Sequence, residues 1–206
     1  MVIIIDYGLG NLRSVLMKFM RFKIEARISE GPADIETADK LVLPGVGSFG
    51  AGMRNLRERG LIDVLRRKAL DEKTPLLGIC LGMQLLTEYS EEGDCPGLGF
   101  VPGATRRLDM SGVAEKLRIP HIGWNGITLA RPGAVLFSGI DPALRYYFVH
   151  SYAVFPAEPA DASATCTYGQ TFAAALERGN IHAAQFHPEK SHHHGLAMLE
   201  NFARLA

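Results

Sequence analysis

A glycine-flanked cysteine separates two apolar segments between residues 74 and 86. Residues 76–79 are short and wholly apolar, which is typical of a strand that is buried on both faces. From Gly82 onward the apolar residues follow the spacing of a helix, which we predict to reach residue 89 or 90. The Gly-x-Cys-x-Gly spacing around Cys80 matches the Gly-x-Ser-x-Gly nucleophile elbow, in which small neighbours permit a strained turn. The segment therefore predicts a strand, a sharp turn and a helix, with Cys80 at the turn.

The turn position would give Cys80 a chemical function. Peptide N–H groups at the start of a helix stabilise negative charge, so they favour the thiolate form of a cysteine. The N–H of Leu81 could also face an oxyanion that develops during attack on a carbonyl. The alternative is a buried core cysteine, which is a common environment for this residue type. The glycines on both sides of Cys80 favour catalysis over that alternative.

The balance of charges argues against two classes of partner. Among 206 residues, 22 are Lys or Arg and 22 are Asp or Glu, so the formal net charge is zero. This balance gives no reason to expect nucleic acid or a membrane surface as a partner, and it fits a small neutral substrate better. With 47% hydrophobic residues, the chain can bury a sizeable core, and one domain over residues 1–206 is the simplest organisation.

Membrane, disulfide and metal functions receive no support from the sequence. No apolar run approaches the roughly 18 residues of a membrane span, and the N-terminus lacks the basic lead of a targeting signal. We therefore expect a cytoplasmic protein. The three cysteines, Cys80, Cys95 and Cys166, form no CxxC pair, which disfavours a disulfide framework and a structural zinc site. Free thiols are expected, with neither a metal nor a cofactor.

The N-terminal half alternates strand-like and helix-like segments. Residues 2–5 are β-branched and apolar, and Leu12 begins a helical spacing after a glycine turn. Residues 25–28 and 40–43 predict two more strands, and a helical segment precedes the strand before Cys80. This order predicts an α/β fold, with a largely parallel central sheet, helices on both faces, and functional loops at the carboxyl ends of the strands.

The C-terminal half has a different pattern, because Pro and Gly divide it into short segments from residue 96 onward. Antiparallel pairs are the simplest way to join such segments, so we predict an antiparallel β portion in this half. The last three strands would form a meander, and a helix near 195–205 would close the chain. The predicted strands are 104–108, 115–119, 146–152, 163–168, 171–177 and 181–186.

A glycine-rich loop follows the predicted strand at 40–43. Residues 44–52 contain four glycines, which permit positive φ and a close approach of peptide N–H groups to a ligand. Both a phosphate cradle and an oxyanion hole use this property. A Walker-type phosphate loop would end in Gly-Lys followed by Ser or Thr, and this loop does not. We therefore favour an oxyanion hole.

A cysteine nucleophile needs a base, and His187 is the first candidate among the seven histidines. Pro188 enforces an extended backbone, so the side chains of His187 and Glu189 can project to the same side. Glu189 could then hold the imidazole in the tautomer that accepts the thiol proton. The alternative is a surface His-Glu pair, because an HxE spacing is common and not specific.

The environments of the other histidines are less defined. His121 and His150 could be core residues or could face a substrate. The triple histidine at 192–194 is expected to be exposed and without function, because three consecutive side chains rarely point together at a metal ion.

Three of these segments together resemble the motifs of the class I glutamine amidotransferases. They are Pro-Gly-Val-Gly at 44–47, Gly-Ile-Cys-Leu-Gly-Met-Gln at 78–84 and His-Pro-Glu at 187–189. The resemblance spans almost the whole chain. It implies that the chain hydrolyses the side-chain amide of glutamine to glutamate and ammonia, without a cofactor.

Further segments are similar to one branch of that family, whose members act in histidine biosynthesis. The branch resemblance lies in residues 6–15, 120–125, 148–152 and 187–191. It implies a heterodimer in which ammonia passes to a separate (β/α)₈-barrel cyclase subunit, which makes imidazole glycerol phosphate and aminoimidazole carboxamide ribonucleotide. Small departures from the branch are Ile122, where Met is expected, residues 182–184, and the triple histidine.

The resemblance also implies roles for individual residues. Cys80 would attack the amide carbon to give a γ-glutamyl thioester, while His187 takes the thiol proton and later protonates the departing ammonia. Glu189 would orient His187. The expected oxyanion hole consists of Leu81, Val46 and Gly47, and the expected contacts to glutamine are Gly45, Gln84, Glu92, Ser151 and Tyr152. Glu92 is expected on or just after the helix that begins at the nucleophile.

Two other functions compete with this hypothesis. A stand-alone cysteine hydrolase, such as a γ-glutamyl peptidase, could use the same three catalytic residues on a free substrate. A non-catalytic binding module could keep the fold, but it would be credible only if Cys80, His187 or Glu189 were missing. All three are present.

Overall fold

The computed structural model describes residues 1–111 and 117–205, and its N-terminal half alternates strands and helices. The strands of this half are β1 (Val2–Ile5), β2 (Ala26–Ser29), β3 (Lys40–Gly45) and β4 (Leu76–Cys80). The helices are α1 (Leu12–Arg21), α2 (Pro32–Glu36), α3 (Phe49–Glu58), α4 (Leu61–Arg66) and α5 (Leu81–Leu85). A π-helical turn, Arg67–Asp71, continues α4.

The rest of the described chain consists mainly of strands. They are β5 (Thr87–Ser90), β6 (Cys95–Pro96), β7 (Val101–Arg107), β8 (His121–Gly126), β9 (Thr128–Leu129), β10 (Arg145–His150), β11 (Tyr152–Pro156), β12 (Ala162–Tyr168), β13 (Gln170–Arg178) and β14 (Ile181–Ala184). Short 3₁₀ turns occupy Val135–Phe137, Pro159–Asp161 and Pro188–Lys190, and helix α6 (His192–Ala203) follows the last of them.

In the part of the chain that the structure describes, twelve strands form one large sheet. Its order is β2-β1-β3-β4-β14-β13-β11-β7-β5-β6, with β12 beside β13 and β9 beside β12. The strands from β2 to β14 are parallel, and β14 then pairs antiparallel with β13. Strands β8 and β10 form a separate antiparallel pair. The predicted α/β fold, with a parallel central sheet and an antiparallel portion in the C-terminal half, is confirmed.

The two faces of the central sheet each carry a hydrophobic core. Along β1, Ile3 and Ile5 belong to the core that includes residues of α3 and α4. Val2 and Ile4 belong to the core that includes residues of α1 and α6. All four side chains are buried, because successive residues of a strand point to opposite faces and both faces are covered. Burying each such side chain contributes about 1.5–3 kcal/mol.

The prediction of a long helix after Cys80 is wrong. Helix α5 ends at Leu85, and strand β5 begins at Thr87 and pairs with β7. The Thr87 hydroxyl donates to the carbonyl of Gln84 at 2.8 Å and thereby satisfies a carbonyl at the end of the helix. A helix of five residues is too short for its apolar spacing to be distinguished from that of the following strand.

The glycine-rich loop is shorter than predicted. Helix α3 begins at Phe49, so Gly50 and Gly52 are helical residues. Gly52 packs against the elbow helix, since a Cβ at this position would lie 3.0 Å from a methyl group of Leu85. The close packing of α3 against the elbow helix thus leaves little room for a side chain at Gly52.

The predicted strand 146–152 is in fact the end of one strand and the beginning of another. Strand β10 ends at His150 and pairs with β8, whereas β11 begins at Tyr152 and joins the large sheet. Ser151 alone separates them. Of the predicted strand 115–119, residues 115 and 116 lie outside the described residues, and 117–119 are not in a strand. The meander β12-β13-β14 and the closing helix are confirmed.

None of the helices in the described part of the chain is both long and apolar enough to cross a bilayer.

Candidate active site

Cys80 is the last residue of β4, in the middle of the large sheet. Its φ of 53° and ψ of −108° place a non-glycine residue in strained backbone space before α5 begins. Such strain persists only where the surrounding structure enforces it, and it is concentrated at functional sites. The predicted sharp turn between strand and helix is therefore present, with Cys80 at the carboxyl end of a parallel strand.

The two glycines around the cysteine are required by the backbone that passes close to them. A Cβ at Gly82 would lie 1.7 Å from the carbonyl oxygen of Leu43, and one at Gly78 would lie 2.9 Å from that of Gly82. Both distances are shorter than van der Waals contact. The two glycines of the Gly-x-Cys-x-Gly spacing are thus needed because Gly82 packs against β3 and Gly78 packs against the backbone of Gly82.

His187 and Glu189 lie beside Cys80 because β14 pairs parallel with β4. The Nδ1 atom of His187 is 2.8 Å from Oε1 of Glu189, and both side chains are 2% exposed. The backbone N–H of His187 donates to the carbonyl of Tyr147 at 2.9 Å. Ser191 donates its hydroxyl to the carbonyl of His187 at 2.7 Å. The pair is buried and held in place, so the alternative of a surface His-Glu pair is wrong.

The electrostatic environment favours a protonated His187. Burial lowers the pKa of this ring, but the neighbouring Cys80 and Glu189 side chains stabilise the cation and raise its pKa to about 9. The Nε2 atom makes no hydrogen bond of normal geometry to any described residue. An imidazole that is oriented through Nδ1 and free at Nε2 can exchange a proton with the adjacent thiol.

A cavity of about 260 Å³ opens next to Cys80. It is lined by most of the residues predicted for the oxyanion hole and the substrate, namely Val46, Gly47, Leu81, Gln84, Glu92, Ser151 and Tyr152. Pro120, Val149 and His150 complete its wall. Gly45 pairs with Cys80 in the register of β3 and β4, and it borders a smaller space together with His187 and Glu189.

Glu92 reaches the cavity by a different path from the predicted one. Strand β5 lies between α5 and Glu92, so this residue is not at the end of the elbow helix. Its Oε2 atom accepts a hydrogen bond of 2.8 Å from the N–H of Phe49. Glu92 therefore satisfies a free N–H at the start of α3, directly after the glycine loop.

Gln84 is oriented by two protein acceptors. Its Nε2 atom donates to the carbonyl of Tyr152 at 2.8 Å and to Oε1 of Gln185 at 3.2 Å. Both N–H bonds of the amide are thus used within the protein. Only the oxygen of the Gln84 side chain remains to contact a ligand.

The structure resolves the two alternatives for His121 and His150. Both rings are buried, and His150 also lines the cavity. A hydrogen-bonded chain runs from Asn125 through His121 and His150 to the carbonyl of Tyr152. Burial lowers the pKa of His121 to about 4 and that of His150 to about 3, so both rings are neutral near pH 7. The sequence does not indicate this chain, nor the burial of Gln185 beside Cys80.

The triple histidine is only partly exposed. His192 and His193 are exposed, whereas His194 is buried and its Nε2 atom lies 2.7 Å from the carbonyl of Arg145. The expectation that all three are exposed is therefore wrong for His194, because the start of α6 turns this side chain inward. Among the described residues, no group of His, Cys, Asp and Glu could hold a metal ion.

The other two cysteines lie outside the cavity. Cys95 is half-buried in β6, and Cys166 is buried in β12. Burial raises the pKa of the Cys166 thiol to about 12, so this thiol is not ionised near pH 7. Neither residue lines the space next to Cys80.

Comparison with known proteins defines the class to which this fold and site correspond. Residues 3–206 match the family model described as glutamine amidotransferase class-I. The chain belongs to this family. It is 44% identical over 205 residues to imidazole glycerol phosphate synthase subunit HisH 2 of Pseudomonas aeruginosa, with 100% of each chain covered. It is 48% identical over 205 residues to the HisH subunit of Syntrophotalea carbinolica, with 98% of each covered.

Solved structures show the same fold at low sequence identity. A crystal structure described as a glutamine amidotransferase matches with a TM-score of 0.74 at 20% identity, covering 98% of this chain and 99% of that chain. The structure of PurLQS from Thermotoga maritima matches with a TM-score of 0.73 at 16% identity, covering 98% and 96%.

Proposed function

We propose that this chain hydrolyses the side-chain amide of glutamine to glutamate and ammonia, as the glutaminase subunit of an imidazole glycerol phosphate synthase in histidine biosynthesis. One observation carries the proposal. Cys80 occupies a strained elbow beside a cavity of about 260 Å³, with a buried His187 and Glu189 pair at 2.8 Å next to it. The relatives named HisH, which match the full chain, support the same function.

The proposed reaction begins from an ion pair, in which the thiol proton of Cys80 already resides on the protonated His187 and Cys80 is a thiolate. The thiolate attacks the amide carbon of glutamine, and the C–S bond forms as the carbonyl π electrons move to oxygen. The tetrahedral intermediate then collapses, the C–N bond breaks, and His187 protonates the departing ammonia. Water attacks the γ-glutamyl thioester, with His187 as the base, and releases glutamate and the Cys80 thiol. Glu189 keeps Nδ1 of His187 hydrogen-bonded throughout, so that Nε2 performs each transfer.

The proposed oxyanion hole combines the N–H of Leu81 with a peptide N–H of the loop at Val46 and Gly47. Both segments line the cavity beside Cys80. Gly47 has φ of 141°, a conformation that other residues rarely adopt, so the loop can present a peptide that an alanine would not permit. A donor of this kind is worth about 10²–10³ in turnover.

The substrate contacts in this proposal are made by groups around the same cavity. The free oxygen of Gln84 and the carboxylate of Glu92 are acceptors, which suits the α-ammonium group of glutamine. Gly45, Ser151 and Tyr152 would contact the substrate through their backbone atoms. The carbonyl of Tyr152 already accepts two hydrogen bonds, from Gln84 and His150, so this residue acts through the position of its backbone rather than as a new acceptor.

We further propose that residues 1–206 form one domain and that the released ammonia is consumed by a (β/α)₈-barrel cyclase subunit in a heterodimer. The family model spans residues 3–206, and the relatives are named as subunits, which supports both points. A catalytic thiol needs a reducing compartment, which favours the cytoplasm.

The experiment that tests this function compares glutamate release by the chain alone, with the cyclase subunit from the same source, and with that subunit loaded with its acceptor ligand. We expect the chain alone to be slower by at least about 10²–10³, if docking completes the oxyanion hole. A complex without glutaminase activity would contradict the proposed function. A free chain that already works at the full rate would instead identify a stand-alone cysteine hydrolase.

A further inference from the structure

A chain of hydrogen bonds joins the cavity wall to the sulfur of Cys80, and one atom determines its direction. The carbonyl oxygen of Tyr152 can only accept, so both side chains that contact it must donate. These contacts are Gln84 Nε2 at 2.8 Å and His150 Nδ1 at 2.9 Å. The Tyr152 carbonyl therefore fixes the orientation of the Gln84 amide and the tautomer of His150.

The orientation of the Gln84 amide in turn fixes the orientation of the Gln185 amide. The Nε2 atom of Gln84 lies 3.2 Å from Oε1 of Gln185, and because an amide nitrogen donates, the oxygen of Gln185 must face it. The nitrogen of Gln185 is then directed away from Gln84, and it lies 3.8 Å from Sγ of Cys80. Gln185 is fully buried, so water does not compete for this N–H.

The histidine side of the chain keeps the Tyr152 carbonyl in place. With its proton on Nδ1, neutral His150 accepts at Nε2 from Nδ1 of His121, at 3.0 Å. His121 in turn accepts from Nδ2 of Asn125 at 2.7 Å. Donation thus converges on the Tyr152 carbonyl from His150 and from Gln84, and on the other side it runs from Gln84 to Gln185 and from Gln185 to the sulfur.

We propose that Gln185 is a further catalytic residue of this site, whose side-chain N–H donates to the Cys80 sulfur and stabilises its thiolate, while Gln84 holds that amide in the donating orientation. The inference rests on the proposed function of Cys80 as the nucleophile. An N–H bonds weakly to a neutral thiol but more strongly to an ionised acceptor. The contact at 3.8 Å therefore strengthens when the proton leaves the sulfur.

The test measures the alkylation of Cys80 by iodoacetamide between pH 5 and pH 10, on the full chain, with the modified peptide quantified by mass spectrometry. Gln185→Met keeps the side-chain size but removes the donor. We expect the midpoint of the rate-against-pH curve to rise by about one pH unit, as for loss of a hydrogen bond to a charged group. Gln185→Glu places a carboxylate near the sulfur and is expected to shift the midpoint further.

Two further variants complete the test. Gln170→Met, on β13 and away from the cavity, is the matched control and is expected to leave the curve unchanged. Gln84→Met leaves Gln185 in place but frees its amide to turn, so we expect a smaller shift in the same direction than with Gln185→Met. This variant keeps the proposal testable if the Gln185 variants do not fold, which near-ultraviolet circular dichroism would reveal.

A folded Gln185→Met chain with an unchanged curve would overturn the proposal, as would an unchanged curve in Gln84→Met. Alkylation requires no glutamine hydrolysis, so the two proposals can fail separately. A chain that shows the expected shift but hydrolyses no glutamine with its partner would reject the glutaminase function alone.

Discussion

Cys80 differs from the other two cysteines in backbone conformation and in access to the cavity. It alone among them has positive φ and lines the space of about 260 Å³. We expect Cys80→Ala to abolish glutamine hydrolysis, because no other thiol in the described residues can reach a substrate there. Cys95→Ala and Cys166→Ala are the matched controls and should retain turnover. Glutamate release by each variant in the presence of the partner subunit decides the matter, and turnover in Cys80→Ala would disprove the mechanism.

In the proposed mechanism the buried pair at 187 and 189 has unequal roles, because only His187 exchanges protons with the substrate and the thiol. Glu189→Gln keeps the shape of the side chain, and its amide oxygen can still accept from Nδ1 if the amide turns. We expect this variant to fold and to lose roughly ten- to a hundredfold less turnover than His187→Ala. Steady-state kcat for both variants provides the comparison. Equal losses, or a larger loss in Glu189→Gln, would show that the assignment of the base is wrong.

The residues that could be found from sequence are those whose relation is local. Pro188 sets the geometry between His187 and Glu189 within three positions, so spacing alone predicted that the two side chains meet. Gln84 and Gln185 meet across a separation of 101 residues, and Gln185 and Cys80 across 105. No spacing rule relates such distant positions, and a glutamine has no residue-type signal comparable to that of a cysteine between glycines.

At the scale of elements, the elbow depends on the absence of a side chain at Gly82. A Cβ there would lie 1.7 Å from the carbonyl oxygen of Leu43 in β3, which is a backbone atom that cannot turn away. We expect Gly82→Ala to lower the free energy of unfolding by about 3 kcal/mol or more, as for severe overpacking. Urea denaturation followed by circular dichroism measures this change.

The matched control for that prediction is Gly50→Ala. Gly50 lies in helix α3, and a Cβ there would meet no atom within 4 Å. Because alanine is favoured over glycine in a helix by about 0.5–1 kcal/mol, this variant should be neutral or slightly more stable. Equal stability of Gly82→Ala and the unsubstituted chain would show that the elbow can open without cost.

The elements that sequence predicted correctly have long or uniform patterns, and the errors fall where a pattern changes within one or two residues. Helix α1 has a clear helical period, and strand β4 is uniformly buried. The elbow helix is only five residues long, and its spacing merges with that of β5. Similarly, apolar and aromatic residues occur on both sides of Ser151, although β10 and β11 belong to different sheets. The pairing partners of a strand are set by tertiary structure, and the residue types within the strand do not indicate them.

At the scale of the whole molecule, the buried neutral histidines make stability depend on pH. The unfolded chain binds a proton at each histidine below about pH 6.5. The folded chain does not bind one at His121 until about pH 4, nor at His150 until about pH 3. Burial also lowers the pKa of His182 and His194, so these two residues also make the folded chain less stable as the pH falls. Stability from these groups is therefore complete above pH 6.5 and is lost as the pH falls.

His187 does not cancel this effect in the acidic range. Its pKa is raised to about 9, so below pH 6.5 the ring is protonated in both the folded and the unfolded states. We expect the free energy of unfolding to fall between pH 6.5 and pH 5, by at most about 1.4 kcal/mol per pH unit for each buried histidine. Urea denaturation across this range measures the slope. His150→Gln should reduce the slope and the exposed His193→Gln should not; the same slope in both variants would contradict the assignment.

The position of β14 in the sheet has a consequence for the newly made chain. On the ribosome, Cys80 emerges long before its partners, because 105 residues separate it from Gln185, and His187 comes later still. Until β14 is inserted between β4 and β13, the thiol has neither the proposed base nor the amide N–H beside it. Under the proposed mechanism, a nascent or truncated chain that lacks this strand is unable to consume glutamine, even if the elbow at Cys80 has already formed. Because β14 is the last strand in sequence, this mechanism allows glutamine hydrolysis to begin only after the ribosome has made all the strands of the sheet.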